Sequence, residues 1–164
     1  MSDVIVADAS PLMIAAKLEF LDFFPAILGV VYIPPKVADE CLKENAKEGA
    51  SLIKKAIEDG ILFVTETPSH EFLSRVPSGV DDGEAQAIGL ALEMGARLLI
   101  DDLKGRKAAI NEGISVFGFG VVIVRAKQLG IIPNVAPVLD QIKNHGYHVS
   151  PRVVKDILIL SGEA

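Results

Sequence analysis

The chain has 164 residues, half of them apolar, with a single cysteine and a formal net charge of −6. That length buries one core of ordinary size and favours one domain over residues 1–164. No uncharged apolar run approaches the ~20 residues a membrane-spanning helix needs. No basic region leads into an apolar stretch at the N-terminus, and a lone Cys41 excludes an internal disulfide framework, so the expected setting is the reducing cytoplasm. The negative charge argues against a nucleic-acid partner held on a basic face, unless the acids are gathered around cations that reverse the local field.

In chain order, "VIVA" (4–7) reads as a strand that runs into Asp8, and a helix is expected over 10–26. "GVVYI" (29–33) is the second strand, followed by helices over 35–44 and 46–59, and "ILFVT" (61–65) is the third. The segment 66–81, "ETPSHEFLSRVPSGVD", has no period and is the candidate mobile loop. A helix over 82–95, a strand "RLLI" (97–100), a helix over 104–112 and a strand "ISVFG" (114–118) follow. Helices over 120–129, 135–145 and 150–161 complete the pattern. Gly60, Gly95 and Gly113 stand just past helix ends, where a left-handed residue closes the last turn. Strands that are apolar throughout, rather than at alternate positions, are covered on both faces, which favours a parallel sheet. The expectation is an α/β fold with helices on both sides of that sheet. "GFGVVI" (118–123) lacks the third glycine of a dinucleotide loop, and no phosphate loop ending in Gly-Lys-Ser/Thr occurs.

Ligands of open α/β sheets bind beyond the carboxyl ends of the strands, and several acids belong there. Asp8 follows the first strand and Asp101 and Asp102 the fourth, while Asp81, Asp82 and Glu84 open a helix and Glu40 lies in "PKVADECLKEN". Carboxylates brought together raise one another's proton affinity unless cations neutralise them, and oxygen-only ligands suit Mg²⁺ or Mn²⁺. Each acid also has a local explanation. Asp8 could form a turn with Ser10 as helix cap and Pro11 as first helical residue. Asp81 and Glu84 have capping-box spacing, Asp101 or Asp102 could cap the helix beginning near Leu103, and Glu40 could pair with Lys36 or Lys43.

Asp8 with Ser10, Glu40, Glu84 in "DDGEAQAIGLALEMGA" and Asp101 and Asp102 in "LLIDD", in that order, make the chain resemble the PIN-domain family over essentially its whole length. The similarity is greatest to compact prokaryotic PIN proteins, which include the VapC-type toxins of toxin–antitoxin pairs. Where that family usually has Asp, Glu84 stands, a departure shared with a PIN-like branch carrying Asp-x-Gly-Glu-Ala. "DDLKGRKAA" and "GIIPNVAPVLDQIKNHGYHVSP" also resemble that branch. The resemblance implies a Mg²⁺- or Mn²⁺-dependent ribonuclease, with an antitoxin protein as a possible partner. It implies catalytic roles for Asp8, Glu40, Glu84 and Asp102, metal ligation by Asp8, Glu84, Asp101 and Asp102, and an orienting role for Ser10. Lys104 and Arg106 of "KGRK" are candidate RNA contacts, and the hydropathy makes a homodimer plausible. A competing reading is a catalytically inactive PIN-like binding or assembly module. A receiver-like phosphotransfer domain fits less well, because its acid pair belongs near the first strand. Cys41 has no partner base in the sequence and reads as core; His145 and His148 flank Gly146 in a surface turn; nothing selects His70 for a role. The apolar stretches 20–24, 87–92 and 157–160 read as core or subunit contacts, and few aromatic residues are present to stack bases.

Overall fold

The computed structural model describes residues 4–43 and 48–164. Strands β1 (Ile5–Ala7), β2 (Val31–Ile33), β3 (Leu62–Val64), β4 (Arg97–Leu99) and β5 (Val116–Phe117) lie inside the five expected segments. They form one parallel sheet in the order β3-β2-β1-β4-β5. Val6 and Ala7 in β1, and Leu98 and Leu99 in β4, are all 0 % exposed. Successive strand residues point to opposite faces, so the centre of the sheet is covered on both sides.

The covering helices are α1 (Ala9–Lys17), α2 (Phe24–Ile27), α3 (Pro35–Leu42), α4 (Glu48–Glu58), α5 (His70–Leu73), α6 (Asp82–Met94), α7 (Leu103–Asn111), α8 (Phe119–Gln128), α9 (Ala136–Asn144) and α10 (Pro151–Leu160). Residues 44, 46 and 47, expected in helices, lie outside the described residues. Helix α6 packs across β1 and β4, while α4 packs on β3 and α1. Gly95 closes α6 with a left-handed φ of 62°, a conformation that costs glycine no Cβ clash. Among the described residues no helix is long and apolar enough to cross a membrane.

Two expectations need correction. The helix expected over 10–26 is broken: α1 stops at Lys17, Glu19 takes a left-handed φ of 57°, and a 3₁₀ turn over Leu21–Phe23 leads into α2. Pro25 is the physical reason, because a continuous helix would drive its ring into the carbonyl of Leu21. The break also turns Phe20, Leu21 and Phe24 inward, with Phe20 edge-on to Phe23 and Phe119 at 5.4 and 5.8 Å. The segment 66–81, expected to be a mobile loop, contains α5 and is anchored. Ser69 N–H donates to Glu93 Oε1 at 3.2 Å, Arg75 pairs with Glu112 at 2.8 Å, and Leu73 rests on Gly89, where a Cβ would come within 2.9 Å of it.

The end of the chain caps another element. The Glu163 carboxylate accepts the N–H groups of Val135 at 2.7 Å and Ala136 at 3.1 Å, at the start of α9. It also pairs with Lys127, which donates to the Ser161 carbonyl as well. These bonds, the Val135 N–H first, hold its carboxyl down at about 2. Val135 has no side-chain acceptor of its own, so a residue remote in sequence supplies the cap.

Leu98 lies under α6 at the centre of the sheet and is fully buried. Leu98→Ala is expected to cost about 2–5 kcal/mol, the transfer term plus the cavity left behind. A denaturant titration checks this by a lowered midpoint at an unchanged slope.

Candidate active site

In the order β3-β2-β1-β4-β5, the chain leaves β1 for β2 on one side while β4 pairs on the other. A crevice opens at such a switch point, beyond the carboxyl ends of β1 and β4. Asp8 is the first residue past β1, and its N–H donates to the Leu99 carbonyl at 2.9 Å, which extends the ladder and fixes the backbone. Asp8 is 4 % exposed, the one acidic residue buried as a whole among the described residues. Atom Oδ1 is buried with no hydrogen-bond partner. Asp8 occupies the cap position of α1 yet makes no side-chain cap bond. A turn role therefore leaves Oδ1 of Asp8 unexplained. Ser10 is not the cap either: it sits in the first turn of α1, exposed, with Pro11 after it.

Four further carboxylates approach from three other segments. Asp81 caps α6, its Oδ1 accepting the Glu84 N–H at 2.8 Å, the capping spacing expected from sequence. Asp102 caps α7 in the same way, Oδ2 accepting the Gly105 N–H at 2.8 Å. Glu84 is half-buried on α6, and Glu40 is exposed on α3. The Glu40 carboxylate lies against Gly83, beside the Asp81 cap, and Glu84 Oε2 against Gly105, beside the Asp102 cap. The Asp8 carboxyl is pushed up to about 7, first by burial and then by the charges of Glu40, Asp81 and Asp102, against the opposing pull of the Ala9 N–H. Glu84 is pushed up to about 8 by burial, by its hydrogen bond to Asp81, and by the charges of Asp81, Asp102 and Asp8. Glu40 is also raised, by burial and then by Asp81, with Lys43 opposing. Asp8 thus forms the floor of the crevice and Glu84 a wall, with Glu40, Asp81 and Asp102 at the rim.

The two acids after β4 diverge. Asp102 acts on Asp8 and Glu84, whereas Asp101 turns Oδ1 to the Phe119 N–H at 3.0 Å, at the start of α8, with Arg106 beside it. Although Asp101 as a residue is exposed, the burial of that carboxyl raises its proton affinity. Arg106, half-buried, donates to the Ile100 carbonyl at 3.3 Å, so its guanidinium is committed to the strand end. Lys104 is exposed and reaches the loop before Asp81, where a Cβ on Gly79 would lie 3.1 Å from its Nζ. Cys41 is buried, and its thiol is pushed up to about 12 by that burial and the neighbouring acids, which removes it as a nucleophile. A cavity of about 600 Å³, lined by Arg97, Glu112 and Ser115 among others, opens at the amino ends of β4 and β5, away from the acids.

Among the described residues no three His, Cys, Asp or Glu side chains already enclose a cation position. The donor chemistry nevertheless fits a hard divalent ion. The ligands are all carboxylate oxygens, and one of them is buried without any donor.

A family model described as a PIN domain matches residues 4–163. The chain belongs to the PIN-domain family. PIN domains are generally nucleases. None of the curated proteins compared matches the chain.

Reading this PIN domain from sequence alone named Asp81 among the gathered acids without giving it a site role, and missed two glycines of the crevice. Asp81 raises Asp8, Glu40 and Glu84 alike, but its capping spacing disguised that role. Gly83 and Gly105 give the acids room. A Cβ on Gly83 would collide with the Glu40 carboxylate, and one on Gly105 would come within 2.9 Å of Glu84 Oε2. A glycine in the first turn of each helix, where propensity disfavours it, was the available signal.

Because the folded PIN domain binds the Asp8 and Glu84 protons more tightly than the unfolded chain does, their ionisation opposes folding. This contribution to stability is full below the unfolded values near 4 and is lost as pH rises through about 7 and 8. Thermal midpoints of the chelator-treated protein should therefore fall between pH 5 and 8.5, and Asp8→Asn should flatten that slope.

Proposed function

We propose that this PIN domain is a divalent-metal-dependent ribonuclease that hydrolyses RNA phosphodiester bonds. The observation that carries the reading is the unpartnered, buried Asp8 Oδ1 at the switch point, faced by four more carboxylates. So much negative charge in one crevice calls for a cation. Asp8, Glu84 and Asp102 would hold Mg²⁺ or Mn²⁺, with Asp81 and Glu40 at the rim. When bound, such a cation neutralises charge developing on the phosphate and acidifies the attacking water.

The protein's own groups do the rest. The ladder bond at Asp8 and the caps at Asp81 and Asp102 leave few conformations to these carboxylates, so they are oriented in advance. In the metal-free crevice Glu84 keeps its proton into the neutral range, so binding of a cation there would displace that proton. Glu40 completes the acidic rim from α3. Ser10, exposed two residues beyond Asp8, orients substrate by hydrogen bonding. Lys104, across the mouth of the crevice, takes a flanking phosphate, while the commitment of Arg106 to Ile100 gives it a supporting role. Asp101, committed to the start of α8, stands behind the ligands rather than among them.

The likeness to VapC-type proteins supports a toxin that acts in the cytoplasm and is restrained by an antitoxin protein. The exposed apolar side chains of α10, Val153, Ile159 and Leu160, are the surface that favours a homodimer or such a partner. A second reading, a PIN-like binding module without catalysis, draws on the absence of a preassembled cation enclosure among the described residues.

Two measurements separate the readings. Unstructured RNA should be cut in the presence of Mn²⁺ and left intact with chelator. Asp8→Asn should fold normally and cut at least about 100-fold more slowly, the upper end of what losing support for a metal ligand costs. Mn²⁺ at a hundred times its dissociation constant should stabilise the wild type by about 2.7 kcal/mol. An Asp8→Asn protein that still cuts at the wild-type rate defeats the nuclease, and a wild type that manganese leaves unstabilised favours the binding module.

A further inference from the structure

Resting on the nuclease reading, we infer that Gly83 and Gln86, on the first turns of α6, form a seat that positions the Glu40 carboxylate over the acidic crevice.

Helix α3 begins without means of capping itself. Its cap position is Pro34, which has no side-chain acceptor, and its first residue is Pro35, which has no N–H. The Lys36 N–H is therefore the first orphan donor of the helix. Gln86, half-buried on α6, satisfies it: Oε1 accepts that N–H at 3.0 Å across fifty residues of sequence. One turn further along α3, on the same side as Lys36, stands Glu40. One turn back along α6, on the same side as Gln86, stands Gly83. The two helices pack against each other. A Cβ on Gly83 would collide with Glu40 Oε1 and stand 2.8 Å from its Cδ. The helices are thus registered at two points one turn apart: a hydrogen bond fixes the start of α3, and a bare Cα receives the carboxylate.

Neither residue carries chemistry of its own. Both act through Glu40 and are positioning residues. Their burial differs from that of a core pair, since the atom displaced by a Cβ at Gly83 is the end of a flexible, exposed side chain. The fold tolerates a methyl group there while the carboxylate does not, and alanine is the better helix former at that position. Stability and positioning therefore move in opposite directions at Gly83, which a purely structural role would not produce.

The test compares Gly83→Ala, Gln86→Leu and Gln86→Glu, each alone and combined with Glu40→Gln, in steady-state cleavage of unstructured RNA with Mn²⁺. Gly83→Ala and Gln86→Leu should each lower kcat by about tenfold, the scale of a small misplacement of a reacting group, with KM unchanged. Neither should add a further twofold loss to Glu40→Gln, and Gln86→Glu, which keeps an acceptor oxygen, should retain the wild-type rate. Losses that multiply in the Glu40→Gln background overturn the seat. Two readouts on the metal-free protein stand apart from activity. Hydrogen exchange at the Lys36 amide should quicken in Gln86→Leu and stay slow in Gly83→Ala and Gln86→Glu. The carboxyl ¹³C signal of Glu40 should shift in Gly83→Ala, whose melting temperature should not fall. An unmoved Glu40 signal or an unaltered Lys36 amide also overturns the seat. Should the wild type cut no RNA, the nuclease reading fails, and these two readouts alone decide the seat.

Discussion

A carboxylate oxygen buried without a donor is the constraint around which this protein is arranged. Burying a charge unpaired is among the costlier things a fold can do, and the usual escape is to hold a proton. Asp8 takes that escape, its proton affinity raised by burial and raised again by Glu40, Asp81 and Asp102. The Ala9 N–H relieves it only in part, because Oδ1 is left with no donor and the backbone is tied to Leu99. A fold that keeps such a group at the end of its central strand carries strain that a cation would remove.

The same arrangement explains why the crevice can be crowded with acids and still fold. Three helices begin beside it, and each start is met by an aspartate: Asp81 at α6, Asp102 at α7 and Asp101 at α8. The unsatisfied N–H groups and positive end of a helix favour negative charge, so capping and acid-gathering are served by the same side chains. Glycines complete the design by removing side chains where a carboxylate must lie. Gly83, Gly105 and Gly118 each leave the space that an oxygen of Glu40, Glu84 or Asp101 occupies. At Gly83 and Gly105, inside α6 and α7, local helix propensity is given up for room at the site.

Away from the crevice the fold is held by ordinary means. Five short parallel strands are sandwiched between helices, and the apolar residues of β1 and β4 are fully covered. The edge strand β3 is less protected, with Phe63 56 % exposed and resting against Tyr32 at 5.8 Å. The last helices are tied down by the Glu163 carboxylate, which caps α9 and pairs with Lys127. Stability and acidity are thus separated in space: the carboxyl ends of β1 and β4 carry the charge, and the interior carries the packing.

Most of the architecture was legible along the chain. Continuous apolarity in "VIVA" and "RLLI" reported burial on both faces, glycine after each of several helices reported their ends, and the order of Asp8, Glu40, Glu84 and the Asp101–Asp102 pair pointed to the family. The first two are local signals, carried by residues whose neighbours in sequence are also their neighbours in space. Where a distant residue intervened, sequence was silent or misleading. Helix α5 settled against Gly89 in a segment without period, whereas the helix broken at Glu19 and Pro25 carried its signal locally and periodicity overrode it. The division of labour between Asp101 and Asp102 depended on which carboxylate met the start of α8. Glu163 and Gln86 each cap a helix far away in sequence. Sequence by itself determined the five strands, their parallel character and the inventory of acids, because hydrophobic period and turn chemistry act over a few residues. Only the tertiary structure decided which oxygen is left without a donor and which glycine makes room for a carboxylate, because those depend on the distance between segments that the chain separates.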